Sequence, residues 1–232
     1  MPAATIDHNQ FDSIPDTIAA FRNGDFVVVM DDLDRENEGD LIIAAENMTT
    51  EQMAFMVRHS SGLICAPITP ALTESLKLPQ MVENSEDVRG TAYTVSIDAA
   101  DPSVTTGISA RDRALAVRRL ADPTSTPASF RRPGHVLPLR ARSGGVRVRR
   151  GHTEAGVDLC RLAGKPEVAV ICELVDDGEE VSGRAVREGP GMMRGEGCIA
   201  FARKWGLKVC TIADLADYLE KTEGKIGANG RS

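Results

Sequence analysis

Apolar and polar positions along this chain switch between a period near 3.6 and a period of two or none, and the switches mark its elements. Ile14, Ile18 and Phe21 recur at helical spacing behind Ser13, Pro15 and Asp16, a capped start, and Gly24 stops the run. Residues 26–30, 41–45 and 62–65 are short apolar runs that read as strands. Thr49 and Gln52 form a capping box for a helix to about His59, with Met53, Met56 and Val57 turned inward. Residues 66–90, broken by Pro67, Pro70, Pro79 and Gly90, predict irregular chain around a short helix at 72–76, after which 91–97 alternates as a strand. Ser109 and Asp112 cap a helix over 110–120, and the proline-rich segment 123–138 predicts a long loop over the surface or across a subunit boundary. A short strand at 146–148, a helix at 154–163 and a buried strand at 168–175 follow. Residues 176–191, rich in Gly and Glu, read as an insertion or a long hairpin. A helix at 196–205, a strand at 207–210 and a Thr211-capped helix at 212–221 complete the pattern.

Strands and helices interleave without the regular alternation of a doubly wound sheet. The expected fold is therefore α+β, a single-domain three-layer sandwich with a mixed β-sheet and helices on both faces. The domain is expected over 11–221, between a flexible start at 1–10 and a flexible tail at 222–232. The length of 232 residues suffices for one sizeable core, and no internal repeat is visible. No apolar run approaches the roughly 18 residues of a membrane span. The first residues lack a basic segment followed by an apolar one, so a cytoplasmic address is expected. The five cysteines, at 65, 160, 172, 198 and 210, form no Cys-x-x-Cys pair and are odd in number, which fits reduced thiols. Cys65, before Pro67, is the one placed to lie near a site.

Charge changes the picture more than composition does. A net charge of −7 weighs against a nucleic-acid partner, because phosphate-backbone affinity needs a cationic surface. Yet the charge is segregated. Asp31, Asp32, Asp34, Glu36, Glu38 and Asp40 crowd six carboxylates into ten residues, with Arg35 among them and Gly39 allowing a tight turn. Such a cluster must face water, arginine or a metal ion, and the flanking strands would mount it on a rigid frame. Between Arg131 and Arg150 lie Arg131, Arg132, Arg140, Arg142, Arg147, Arg149 and Arg150, with His135 and no acidic residue. This is a candidate anion site, and the lack of aromatics there favours one small phosphate over extended RNA or DNA. Arg149, Arg150, Gly151, His152, Thr153 and Glu154 lead into a helix start, combining phosphate donors with an imidazole able to bind metal.

Taken together, residues 31–40, 105–112, 132–140, 151–159 and 172–174 closely resemble the 3,4-dihydroxy-2-butanone 4-phosphate synthase family of riboflavin biosynthesis, in its monofunctional fungal-type form. The likeness covers nearly the whole chain. It implies a lyase that converts D-ribulose 5-phosphate to L-3,4-dihydroxy-2-butanone 4-phosphate and formate through a metal-stabilised enediolate and a skeletal rearrangement. Mg²⁺ is the implied cofactor, with Mn²⁺ able to replace it, and Glu36 and His152 match the metal ligands. Arg35, Glu36, Asp40, Thr106, Arg149, Arg150, Gly151, His152, Thr153 and Glu173 are the implied substrate-binding residues. His135, Glu173, Asp40 and Glu38 are the implied catalytic groups. His135 and Thr106 are expected to come from the neighbouring subunit of a homodimer whose site is shared, with no nucleic acid or membrane as partner. Bacterial relatives are often fused to GTP cyclohydrolase II; no such second domain or three-cysteine zinc pattern is expected here. Arg150 stands where the family often has glycine, and 176–191 departs in length. From the residues alone two alternatives stay open: a phosphosugar isomerase or aldolase using the same enediol chemistry, and a nucleotide- or RNA-binding protein on a related scaffold.

Overall fold

The computed structural model describes residues 10–32 and 34–226. Expectations for 1–9 and 227–232 lie outside the described residues. Eleven strands and seven α-helices are formed within them. Seven strands make one sheet in the order β11 (Lys208–Thr211), β1 (Val27–Met30), β2 (Gly39–Ala44), β6 (Ala169–Glu173), β3 (Cys65–Ile68), β5 (Phe130–Arg140) and β4 (Ile97–Ala99). β1 runs parallel to β11 and β3 parallel to β5, and the remaining neighbours are antiparallel, so the sheet is mixed.

β1, β2 and β3 are buried at every position, as strands covered on both faces must be. Their side chains alternate between two cores. Val28, Met30, Leu41 and Ile43 pack with Met53 and Met56 of α2 (Thr50–His59), with Ala116 and Val117 of α4 (Ala110–Ala121), and with Cys198 and Ala202 of α6 (Glu196–Lys204). Val27, Val29, Ile42 and Ala44 pack with Ile14, Ile18 and Phe21 of α1 (Ile14–Arg22), with Ala155 and Leu159 of α5 (His152–Leu162), and with Leu215 and Leu219 of α7 (Ile212–Glu223). The three-layer α+β sandwich follows from this two-sided burial. A short α3 (Pro70–Ser75) completes the helices. The capping signals act as expected: Ser13, Thr49, Ser109 and Thr211 each accept a first-turn backbone N–H, and the Thr49–Gln52 box is reciprocal.

Four sequence expectations fail. The strand expected at 91–97 makes only isolated bridges at Tyr93 and Thr94, and the regular strand, β4, spans Ile97–Ala99. Residues 123–138 are not one loop, because β5 begins at Phe130 and pairs on both sides. Its prolines and Gly134 argued against a strand, but Ile97 pairs with Val136 while Asp98 pairs with Arg131, so 132–135 bulge out of the ladder, where Pro133 displaces no strand hydrogen bond. Residues 146–148 form a 3₁₀ turn, Gly145–Arg147, rather than a strand. The strand expected at 62–65 sits later, at Cys65–Ile68, inside the stretch read as irregular. Residues 176–191 resolve as a hairpin in two tiers: β7 (Val175–Asp176) pairs with β10 (Gly191–Met192), and β8 (Glu179–Glu180) with β9 (Arg187–Glu188). α7 runs to Glu223, two residues past the expected domain end. Among the described residues no helix is long and apolar enough to cross a membrane.

Candidate active site

The acidic run folds around its own charges. Asp31, 3% exposed, accepts from Arg35 Nη1 at 2.6 Å and from the Glu38 backbone N–H at 2.9 Å, which closes the turn between β1 and β2. Arg35 Nη1 also reaches Glu36 Oε2 at 2.5 Å. The end of the long hairpin clasps the turn from outside: Arg194 donates to the Glu36 carbonyl (3.2 Å) and to Glu38 Oε1 (2.8 Å). Local ion pairs thus consume Asp31 and hold Glu38, while Glu36 and Asp40 face inward.

That inward face is a cavity whose lining carries Glu36, Glu38, Asp40, Asp87 and Glu173 against Arg35, Arg89 and Arg149, with Thr91, Tyr93, His152 and Thr153. Asp40 and Glu173 are direct partners in the β2–β6 register. Asp40 is 2% exposed. Burial, reinforced by Glu173 and then by Asp31 and Glu36, raises its carboxyl well above the usual range against the pull of Arg35. Glu173 accepts from Ser61 Oγ at 3.0 Å. His152, the first residue of α5, is also buried, and burial pushes its imidazole down to about 4 although Asp31 pulls the other way. Its Nε2 lies 3.1 Å from the Val29 carbonyl, which can only accept, so Nε2 carries the proton and the Nδ1 lone pair is left toward the cavity. Nδ1 sits 3.5 Å from Asp40 Oδ1, a buried oxygen with no hydrogen-bond partner.

Two electron-rich atoms facing each other without a donor suit a cation or a proton. Among the described residues no three His, Cys, Asp or Glu side chains close a metal cage. A carboxylate and an imidazole on one cavity still fit a hard divalent ion that keeps several coordination positions for water or substrate oxygen.

Arg149 is fixed by Glu154, which is 1% exposed: Nη1 donates to Glu154 Oε2 at 2.6 Å, while Nη2 donates to the Arg89 carbonyl and to Thr91 Oγ1. Gly151 caps α5, and Thr153 brings that helix's first turn to the cavity, where free N–H groups favour an anion. The rest of the arginine run goes elsewhere, which corrects the reading of it as one anion site. Arg132 donates to the carbonyls of Leu76, Pro127 and Phe130, Arg140 pairs with Glu74, and Arg147 holds Glu223 and the Gly224 carbonyl. Arg150 does not line the cavity; it points to Asp32 at 3.9 Å. An extended strand followed by a turn spreads neighbours in sequence over opposite faces. Cys65 is 2% exposed, and burial, with Glu173 adding to it, raises its thiol, so it has no sign of reactivity.

His135 and Thr106 lie outside the cavity of their own chain. The β5 bulge presents His135, and Asp98 grips it twice, accepting from its backbone N–H (2.9 Å) and meeting Nδ1 (2.9 Å), which leaves Nε2 free. Gly107 passes so close that a Cβ there would stand 2.1 Å from Asp98 Oδ2 and 2.6 Å from His135 Nδ1, and its φ of +88° suits glycine. Asp112, 3% exposed, ties this loop down by accepting from Thr105 N–H, Thr105 Oγ1 and Gly107 N–H. Burial would raise its carboxyl, but these bonds outweigh it and hold the pKa below 3.8. The folded value is below the unfolded one, so the contribution is complete above that pH and is lost only as pH falls through the folded value. Asp112→Asn is expected to cost about 1–3 kcal/mol in urea denaturation at pH 7, with the loss relative to wild type shrinking below pH 3.8.

Sequence reasoning missed Asp87, Arg89, Thr91 and Tyr93, all on the cavity wall. They fall in and after the stretch read as irregular; the basic residue before Gly90, at a strand entry, was the available signal.

Carboxylates in register, a neutral buried imidazole and fixed guanidinium groups around one polar cavity define an enzyme that moves protons on a small, oxygen-rich anion. The comparisons specify which. Residues 15–218 match the family model for 3,4-dihydroxy-2-butanone 4-phosphate synthase. The enzyme of that name from Pyricularia oryzae is 70% identical over 231 residues, covering 99% of both chains. A solved structure of a 3,4-dihydroxy-2-butanone 4-phosphate synthase in complex with two magnesium ions is 72% identical, with a TM-score of 0.92 over 93% of this chain and 100% of that one. A cation-free form is 71% identical, with a TM-score of 0.88 over 92% and 100%. This chain belongs to the 3,4-dihydroxy-2-butanone 4-phosphate synthase family.

Proposed function

We propose that this chain is the lyase of riboflavin biosynthesis that converts D-ribulose 5-phosphate to L-3,4-dihydroxy-2-butanone 4-phosphate and formate. The observation that carries this reading is the cross-strand pair of Asp40 and Glu173, beside His152 and in one cavity with Glu36. Enolisation, loss of water and a skeletal shift each move a proton, so more than one acid and base must stand together. Asp40, whose carboxyl burial raises well above the usual range, serves as acid, and Glu173, oriented by Ser61, as base. Glu38, anchored by Arg194, supports the turn that carries Glu36.

Arg149, with Thr153 and the Gly151-capped helix start, binds the phosphate, and Arg35 borders the same space. Glu36 and His152 would hold Mg²⁺, with Mn²⁺ as a substitute. When bound, the ion supplies positive charge that stabilises the charge developing on substrate oxygens. His135 and Thr106 complete the cavity of the neighbouring subunit in a homodimer; Asp98 orients His135 so that Nε2 can exchange a proton there. A cytoplasmic address belongs to the same proposal.

Carbon NMR of ribulose 5-phosphate labelled at C4, incubated with the protein and Mg²⁺, tests the reading. Labelled formate is expected, and none with a chelator present. Labelled pentose phosphate or aldol fragments would instead identify an isomerase or aldolase, and unchanged substrate would defeat the enzymatic reading.

A further inference from the structure

Arg89 reaches across the mouth of the cavity to the acidic turn. Its Nε donates to Glu36 Oε1 at 3.1 Å, and its Nη2 donates to the Arg35 carbonyl at 2.7 Å. Glu36 is thereby held by a guanidinium on each oxygen, Arg35 on Oε2 and Arg89 on Oε1. The two contacts are unequal. Arg35 also pairs with the buried Asp31 at 2.6 Å, so pulling it away would strand a buried carboxylate. The Arg89 side chain is 42% exposed, and its release gives up an exposed ion pair and one hydrogen bond to the Arg35 carbonyl. Its backbone stays anchored meanwhile, because Arg149 Nη2 donates to the Arg89 carbonyl and to Thr91 Oγ1. The guanidinium can therefore leave Glu36 without the segment leaving the wall.

We infer that Arg89 is the resident counter-ion of Glu36, a positioning residue that pre-orders this carboxylate and is displaced from it by the incoming divalent ion. The inference rests on the reading of Glu36 as a metal ligand. Five carboxylates against three guanidinium groups line the cavity, so an ion that displaces Arg89 enters a site still net acidic. Arg89 lowers the apparent metal affinity by competing for one oxygen, and the fork that touches both Glu36 and the Arg35 carbonyl does what a lysine cannot.

The test is Mn²⁺ binding to the substrate-free full-length protein, followed by electron paramagnetic resonance of the free ion, for wild type and three variants. Arg89→Ala is expected to bind Mn²⁺ about two- to fivefold more tightly than wild type, the range of an exposed ion pair. Arg150→Ala removes the same charge from the side of the turn near Asp32 without touching Glu36, and is expected to bind as wild type does. Equal tightening in both variants would reassign the effect to overall charge, and no tightening in Arg89→Ala would remove Arg89 from the site; either overturns the inference while leaving the metal reading intact. Glu36→Gln should abolish the binding. Wild-type affinity in Glu36→Gln would defeat the metal reading itself, and the counter-ion role with it.

Discussion

Glu36→Gln is expected to reduce turnover by about a thousandfold or more while the fold survives. The substitution keeps size and shape, and an amide oxygen still accepts from one arginine, but it cannot offer charge to a divalent ion. A metal that stabilises a developing oxyanion contributes several kcal/mol to the barrier, and about 4 kcal/mol corresponds to a thousandfold in rate. Stability is little affected, because the Glu36 side chain is 28% exposed and its ion pairs lie at the cavity rather than in either core. Losing such pairs costs up to about 1 kcal/mol, or about 2–4 °C in Tm for a chain of this size. Steady-state kinetics at saturating Mg²⁺ together with calorimetry check both halves. Retention of more than a tenth of wild-type turnover would remove Glu36 from the metal site. His152→Ala is a poorer probe, since it removes a buried hydrogen bond to the Val29 carbonyl and so confounds activity with stability.

His135→Ala and Glu173→Gln proteins, each inactive alone, are expected to recover about a quarter of wild-type activity when unfolded together and refolded in equal amounts. In a twofold dimer with shared sites, random pairing makes half the dimers mixed, and each mixed dimer holds one site that is wild type in both contributions. The geometry motivating this is within one chain. Leu139 of β5 lines the cavity, whereas His135 lies four residues earlier on the same strand, about 13 Å away at 3.3 Å per residue, in the bulge. His135 does not line the cavity of its own chain, yet Asp98 and Gly107 hold it in one orientation. No recovery in the mixture, with dimers confirmed by light scattering, would return His135 to a structural role.

Local signals were legible in the sequence wherever chemistry is local. The Ser13, Thr49, Ser109 and Thr211 caps needed only neighbours three residues away, and the apolar runs of β1 and β2 announce strands buried on both faces. The acidic turn could be recognised because self-repulsion among six carboxylates demands a partner whatever the fold. β5 was not legible, because its prolines carry meaning only once the register is known: a bulge makes harmless what a regular ladder would exclude. The arginine run misled for a related reason. Seven arginines close in sequence suggested one field, but a strand and a 3₁₀ turn sent three of them to Leu76, Glu74 and Glu223.

By itself the sequence determined the helices, most of the buried strands, the acidic turn and the family, since each depends on residue type and short spacing. Tertiary structure decided which charges meet. Asp40 faces Glu173 because β2 and β6 are neighbours in the sheet, and burial, reinforced by the charge of Glu173, raises the Asp40 carboxyl. His152 is neutral because α5 starts against β1, where the packed interior strips its water, and the Val29 carbonyl, accepting from Nε2–H, fixes which nitrogen keeps the proton. Arg89 guards Glu36 only because an otherwise irregular segment closes over the cavity. Protonation and charge pairing depend on distance and desolvation, and neither exists along an unfolded chain.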